Sequence, residues 1–257
     1  MLTQLERAHL LNKLHIKGNP LILFNIWDAG SARAIQGTGA KVIATSSWSV
    51  AAAHGSEDGE KLRFDLVLEN LKRIIASVDL PVTIDLESGY KRSPTEVQKI
   101  VREIIEAGAV GINFEDQNIG YDVLYSIEDQ CARIKAVREV ADQMSIPIFI
   151  NARTDIFLKT ESIHHDINHL EESICRASAY AKVGANGFFA PGLKNEHYIE
   201  KLCKLSPIPV NIMVSSDTPS SRRLAELGVA RISYGSNPYC QVMDVLKEFG
   251  RKAFLMS

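Results

Sequence analysis

The sequence has almost no excess charge, no long apolar run and few cysteines, and each shortage removes a class of function. Lys and Arg number 29 against 31 Asp and Glu over 257 residues, a formal charge of −2. That balance gives no electrostatic reason to expect a nucleic acid or a membrane surface as partner. No apolar run approaches the ~18 residues that a membrane span needs. The opening stretch, MLTQLERAHLLNKLHIKG, reads as an amphipathic helix and not as a secretory leader. The four cysteines, Cys131, Cys175, Cys203 and Cys240, are far apart and form no C-x-x-C pair. They read as reduced, packed thiols of a cytoplasmic protein. No His–Cys cluster argues for zinc, no G-x-G-x-x-G follows the first strand, and no P-loop occurs. No lysine ends a strand, which disfavours Schiff-base aldolase chemistry. No linker or shift of composition divides the chain, so residues 1–257 are expected to form one domain.

What is present is a hidden repeat. Short apolar runs recur at 21–28, 42–48, 82–89, 110–117, 147–155, 187–192, 209–216 and 230–236. Each is followed by a polar or Gly-containing turn, and most then by a helical pattern. SPTEVQKIVREIIEAG, residues 93–108, shows the signals together: a Ser93 cap, Pro94 in the first turn, 3–4 apolar spacing and Gly108 past the end. Continuous apolar strands alternating with helices indicate parallel strands covered by helices. Eight such units predict an α/β fold, a closed (β/α)8 TIM barrel, over the runner-up of an open doubly wound sheet. Helices at 3–14 and 237–256 exceed what a barrel requires, and one of them is expected to pack on a neighbouring subunit.

A barrel places its chemistry at the C-terminal ends of its strands. The polar residues collect at that end: Asn25 and Asp28, Ser46-Ser47-Trp48, Asp85 and Glu87, Glu115 and Asp116, Asn151, Arg153 and Asp155, then Asn211. Some have structural readings. Asp28 reads as a helix N-cap, Asp155 as the residue that orients Arg153, Trp48 as rim packing and His54 as an ordinary loop histidine. The carboxylates Asp85, Glu87 and Glu115 are read as lying at one height on adjacent strands. Three nearby negative charges require a cation or protons to neutralise them. A hard divalent ion with oxygen ligands resolves this most simply: Mg2+, with Mn2+ as the alternative. Arg153 adds a planar fork suited to a carboxylate or phosphonate. Cation and guanidinium together predict a small anionic substrate with an oxygen chelate. A 2-oxo acid fits, because metal ligation would stabilise the pyruvate enolate formed when the bond at C3 breaks.

These motifs resemble the isocitrate lyase/phosphoenolpyruvate mutase superfamily, particularly its short members related to 2-methylisocitrate lyase, phosphonopyruvate-processing enzymes and oxaloacetate decarboxylase. The resemblance spans nearly the entire chain. It rests on FNIWDAGSARAIQGTGAKVIATSSW, GSEDGE, TIDLESGY, AGAVGINFEDQ, INARTD, VGANGFFAPGL and LAELGVARISYG, in that order. It implies that Asp85 is a direct Mg2+ ligand, with Glu87 and Glu115 holding the ion largely through water. It implies that Ser46, Ser47 and Trp48 grip the substrate carboxylate and that Asn211 lies on the substrate side. Asp58 and Arg153 match a recurrent active-site aspartate and the substrate-binding arginine. It also implies a homotetramer whose last helix is exchanged between subunits.

The departures from the family pattern bear on which bond breaks. The lyases carry Lys-Lys-Cys-Gly-His in a gating loop, whereas EDQNIGYDVLYSIEDQ here has no Cys, Lys or His. The phosphonate enzymes carry a Lys and an Asn there, of which only Asn118 has an echo. Ala190-Pro191 stands where some lyases place a glutamate at the end of strand 6. Glu87 stands where many members have Asp, a side chain longer by about 1.3 Å, which matters under the strict octahedral geometry of Mg2+. The expected activity is Mg2+-dependent C–C lysis beside a 2-oxo acid, of the oxaloacetate decarboxylase kind. The alternatives are a P–C bond enzyme of the phosphoenolpyruvate phosphonomutase type and a non-catalytic barrel that binds a small acid.

Overall fold

The computed structural model describes residues 2–255, so the last residue of the helix expected at 237–256 lies outside the described residues. Strands β1 (Leu21–Leu23), β2 (Ile43–Ala44), β3 (Val82–Asp85) and β4 (Gly111–Glu115) are followed by the short pair β5 (Gln117–Asn118) and β6 (Val123–Leu124). Then come β7 (Phe149–Arg153), β8 (Gly187–Phe189), β9 (Val210–Met213) and β10 (Arg231–Ser233). All but β5 and β6 form one parallel sheet in the order β1, β10, β9, β8, β7, β4, β3, β2. The sheet closes where the Ile26 N–H donates to the Ala44 carbonyl at 2.8 Å and the Ser46 N–H donates to that of Ile26 at 3.1 Å. Each of the eight apolar runs contributes a strand, and the expected (β/α)8 barrel is the fold.

The helices are α1 (Gln4–Lys13), α2 (Ala29–Gln36), α3 (Ser47–Ala53), α4 (Phe64–Ser77) and α5 (Pro94–Glu106). Beyond them lie α6 (Ile127–Gln143), α7 (Ile167–Lys182), α8 (Glu196–Leu205), α9 (Ser221–Glu226) and α10 (Asn237–Leu255). Helix α5 forms as its sequence dictates. Ser93 accepts from the Glu96 N–H, and Val97, Ile100, Val101, Ile104 and Ile105 are buried at 3–4 spacing. Each such side chain contributes roughly 1.5–3 kcal/mol on leaving water. Asp28 caps α2 by accepting from the Ser31 N–H, as expected.

Helix α1 closes the N-terminal end of the barrel. Gln4 Nε2 donates to the carbonyls of Ile105 and Ala109, and Asn12 Nδ2 to that of Pro147. A methyl group at Gly111 would stand 2.7 Å from Leu11 Cδ2, so only glycine admits the plug this deeply. His15 follows the helix, its ring stacked on Phe149 with centroids 3.7 Å apart and Nδ1 2.8 Å from the Leu11 carbonyl. Burial, then the nearby Arg231 charge, pushes this imidazole down to about 3. The extra C-terminal helix is also real. Of the described residues of α10 only Pro238 is buried.

His15 predicts an acid sensitivity. Its folded pKa, about 3, lies below the unfolded ~6.5, so between these values the unfolded chain binds the extra proton. The stabilisation is complete above pH ~6.5 and is lost as pH falls towards 3. At pH 5 the loss is about 2 kcal/mol relative to pH 8. Urea unfolding at both pH values should show the native chain losing more stability than His15→Phe by about that amount.

Candidate active site

The C-terminal mouth is built by strand register. On β4 the residues Gly111, Asn113 and Glu115 share the inward face, as Phe149, Asn151 and Arg153 do on β7. Asp85 is level with Asn113, and Glu115 with Arg153. The Glu115 N–H donates to the Glu87 carbonyl at 2.9 Å, so Glu87 is level with Glu115 and Asp85 lies one inward step lower. The three carboxylates are therefore not at one height.

Asp85 is fixed from the side of strand β2. Its Oδ2 accepts from the Ser47 N–H at 3.3 Å and the Ser47 hydroxyl at 3.0 Å, while its own N–H donates to Thr45 Oγ1. Its Oδ1 is buried with no hydrogen-bond partner among the described residues. Ser46 caps α3, and Ser47 and Trp48 are the first residues of that helix. Trp48 stays 41% exposed, its edge against Tyr239 of α10.

Arg153 is the guanidinium of the site. Nη1 meets Glu115 Oε2 at 2.8 Å, and Nε and Nη2 donate to the two oxygens of Asp155 at 2.6 and 2.9 Å. Asp155 thus orients Arg153, as the sequence suggested. Burial works against the Arg153 charge, but Asp155 and Glu115 outweigh it and raise its pKa. Burial also holds Glu115 well above the usual carboxylate range, with Arg153 opposing. Asp58 is raised by burial and then by the Asp85 charge.

Glu87 has both oxygens engaged. Oε2 accepts from the Glu60 N–H at 2.7 Å and Oε1 from the Tyr90 hydroxyl at 3.0 Å. Its backbone sits at φ +51°, outside the strand. Burial, then the Asp58 charge, pushes its carboxyl up to about 8. Asn211 has its amide on Ser233 Oγ, at 3.1 and 3.2 Å, and lies level with Arg231 below the mouth.

A cavity of about 180 Å³ opens among these groups. Asn25, Ser46, Ser47, Trp48, Asp58, Asp85, Asn113 and Arg153 line it on one part; Leu158, Phe189, Pro191 and Met213 give it an apolar wall. Ser233, Gly235 and Ser236 complete it. The structure therefore brings together Ser46, Ser47, Trp48, Asp58, Asp85 and Arg153. Glu115 reaches the cavity through Arg153, while Glu87 and Asn211 do not line it.

The residues fit a hard cation with few protein ligands. Among the described residues no group of three Asp, Glu, His or Cys side chains is placed to hold a metal. Asp85 Oδ1 is nevertheless a buried carboxylate oxygen without a partner, beside a further carboxylate, Asp58. Mg2+ typically takes one or two carboxylates and keeps its waters.

Within the loop expected at 117–126, β5 and β6 pair as a small hairpin over 117–124. Lys159, from the segment after β7, pairs with Asp122 of the hairpin, and Arg92 Nη1 donates to the Tyr121 hydroxyl at 2.9 Å. With its carboxamide turned to satisfy both ends, Gln117 donates to Asp155 Oδ2 at 2.9 Å and accepts from Lys159 at 3.2 Å. Lys159 gave no sequence signal, because it lies 37 residues from its partner.

Residues 11–254 match the family model described as phosphoenolpyruvate phosphomutase. A Burkholderia cenocepacia J2315 structure, whose phosphonomutase assignment is provisional, is 45% identical with a TM-score of 0.95, covering 97% of this chain and 99% of that one. The uncharacterised protein Rv1998c of Mycobacterium tuberculosis (strain ATCC 25618 / H37Rv) is 32% identical over 88% of this chain and 81% of its own. The 2-methylisocitrate lyase of Escherichia coli (strain K12) is 28% identical over 79% and 69% of the two chains. Oxaloacetate decarboxylase 2 of Pseudomonas fluorescens (strain Pf0-1) is 25% identical over 89% and 74%. Phosphonopyruvate hydrolase, solved with oxalate and Mg2+, shares the fold at a TM-score of 0.82 and 21% identity, covering 97% of this chain and 87% of that one. The chain belongs to the phosphoenolpyruvate phosphomutase family, within the isocitrate lyase/phosphoenolpyruvate mutase superfamily of lyases and mutases.

Proposed function

We propose that the chain cleaves the C3–C4 bond of a small 2-oxo acid, with decarboxylation of oxaloacetate as the leading reaction. The observation that carries this reading is the lining of the cavity. Among the described residues its lining has one guanidinium, Arg153, an apolar group of Leu158, Phe189, Pro191 and Met213, and no Cys, His or Lys. Its size, about 180 Å³, falls below the ~300–1,000 Å³ of sites for drug-sized ligands and suits a four-carbon acid.

Arg153, held in one orientation by Glu115 and Asp155, binds and orients the substrate carboxylate. Asp85, with Oδ1 open, would hold Mg2+, and Glu115, beside Arg153, would support it through water. The ion, when bound, supplies Lewis-acid polarisation of the 2-oxo oxygen. The second carboxylate of the substrate points to the wall of Leu158, Phe189, Pro191 and Met213. Losing it as neutral CO2 suits that surface, since a carboxylate there has no partner. The C3–C4 electron pair moves toward C2, and one proton added at C3 completes pyruvate and CO2. Asp58, raised by burial, is the cavity carboxyl able to hold that proton, and solvent can also supply it.

A P–C bond reaction is the second reading, favoured by the 45% identity to the Burkholderia structure. Against it, a phosphonate dianion and a carboxylate would share one guanidinium that two carboxylates already face.

We also propose that a second copy covers α10. Its Val245, Leu246 and Phe249 are 51%, 60% and 65% exposed. Ile22 of β1 and Phe24 just after it, both exposed, likewise line an open groove. Exchange of this helix between subunits would bury both surfaces.

Three outcomes are expected. With Mg2+, oxaloacetate should yield pyruvate above the spontaneous rate, while phosphonopyruvate and methylisocitrate should give no product; release of phosphate from phosphonopyruvate would establish the second reading instead. Asp85→Asn should lower kcat/KM for oxaloacetate by at least about 100-fold with the melting temperature retained. Light scattering should show the native chain as an oligomer and the Leu246→Asp/Phe249→Asp variant as a monomer.

A further inference from the structure

Asn113 occupies the middle inward position of β4, level with Asp85 on one side and Asn151 on the other. Its Oδ1 accepts from Asn151 Nδ2 at 2.9 Å and from Arg231 Nη2 at 2.9 Å. A guanidinium has donors only, so the atom facing Arg231 must be the amide oxygen. The Nδ2 group is therefore turned the other way. No described residue accepts from it, it is not among the buried polar atoms lacking a partner, and Asn113 lines the cavity.

Arg231 makes this orientation possible at a cost. It is 1% exposed within the barrel, forms no ion pair among the described residues, and leaves Nε and Nη1 without partners. Burial pulls its pKa down to about 9, against the opposing Asp85 charge. A buried charge with so few partners is expensive, and an apolar side chain of similar size would cost less. Its hydrogen bond goes to Asn113 Oδ1. Asn151 supplies the second donor from β7, at the level below Arg153.

We infer that Asn113 is a substrate-binding residue whose Nδ2 donates to an oxygen of the bound acid, and that Arg231 is a positioning residue acting through it. The inference rests on the cavity being the 2-oxo acid site. It makes the oxygen-binding side of the cavity larger than Arg153 alone. It also assigns Arg231, buried beneath the mouth, an effect on affinity without contact to substrate. A donor fixed in this way costs no reorganisation when the ligand arrives.

The test is isothermal titration calorimetry with oxalate as probe in the presence of Mg2+, with thermal melting of each variant. The native chain should bind, and Asn113→Leu should weaken binding about 10- to 100-fold, the range for a hydrogen bond to a charged group. Arg231→Met should weaken it about 5- to 10-fold in the native background and not at all in the Asn113→Leu background. Arg231→Lys, which keeps a donor, should recover part of the loss. If Arg231→Met does not fold, Asn151→Leu removes the other donor and carries the same expectation.

A native chain that binds no oxalate overturns the cavity assignment, and this inference with it. A native chain that binds while Asn113→Leu binds equally well overturns the inference and leaves the cavity assignment standing. A full additional loss from Arg231→Met in the Asn113→Leu background overturns the positioning role.

Discussion

Arg153 must stay charged inside the mouth of a protein barrel, and the surrounding structure supplies what that requires. An isolated buried guanidinium is untenable, and removing one partner of such a pair typically costs about 3–5 kcal/mol. Glu115 comes from the same register level of the adjacent strand, and Asp155 from two residues further along the chain. Asp155 is held in turn, because its N–H donates to Asp116 Oδ1 at 3.1 Å. Asp116 is fully buried, with Oδ2 accepting from Arg176 and Tyr180 of α7, each at 3.0 Å. Glu115, the last residue of β4, and Asp116 just after it thus divide the work. The glutamate faces the cavity through Arg153, and the aspartate ties the loop after β7 to a surrounding helix.

The same economy of strand positions explains the polar interior below the mouth. A barrel of this kind is ordinarily filled by branched apolar layers. Here Thr83, Asn113, Asn151, Asn211, Ser233 and Arg231 are all buried, and Leu11, Phe149 and their neighbours form the apolar floor against α1. Among the described residues Thr83 Oγ1 and Asn151 Oδ1 lack hydrogen-bond partners, as does His15 Nε2 near the floor. Unpaired polar atoms this deep lower stability, and such a cost is typically tolerated where it serves function. The amide of Asn113, fixed from beneath and facing the cavity, is that service.

The barrel was legible because it repeats. Eight apolar runs, nearly every one ending in polar residues, mark both the strands and the end where those residues collect, and local signals such as Ser93-Pro94 and Asp28 set helix starts that the structure keeps. The cavity residues Ser46, Ser47, Trp48, Asp58, Asp85 and Arg153 were legible as strand ends or motif members. Heights were not. Asp85 and Glu87 are two residues apart, and that spacing alone does not show that the strand stops at Asp85 and the backbone of Glu87 turns to φ +51°. Nor does a sequence reveal that Glu60, 27 residues earlier, claims the Glu87 carboxylate. Arg231 and Lys159 were missed for the same reason. Their partners, Asn113 and Asp122, are distant in sequence and meet them only once the barrel has closed.

The hairpin at 117–124 bears on which chemistry the site can support. It carries no Cys, Lys or His of its own, yet it is anchored by lysine and arginine from two other loops. Gln117 at its base contacts Asp155, the residue that orients Arg153. The segment therefore couples to the Arg153 guanidinium through hydrogen bonds, and none of its residues is among the described residues that line the cavity. A reaction that needs a strong proton donor over the leaving group finds none there. Decarboxylation asks less, because the leaving group departs uncharged and the single proton goes to carbon afterwards. One oriented guanidinium, one open carboxylate oxygen and an apolar wall are the features on which the cavity is built, and the proposed decarboxylation is the reaction that asks for no more than these.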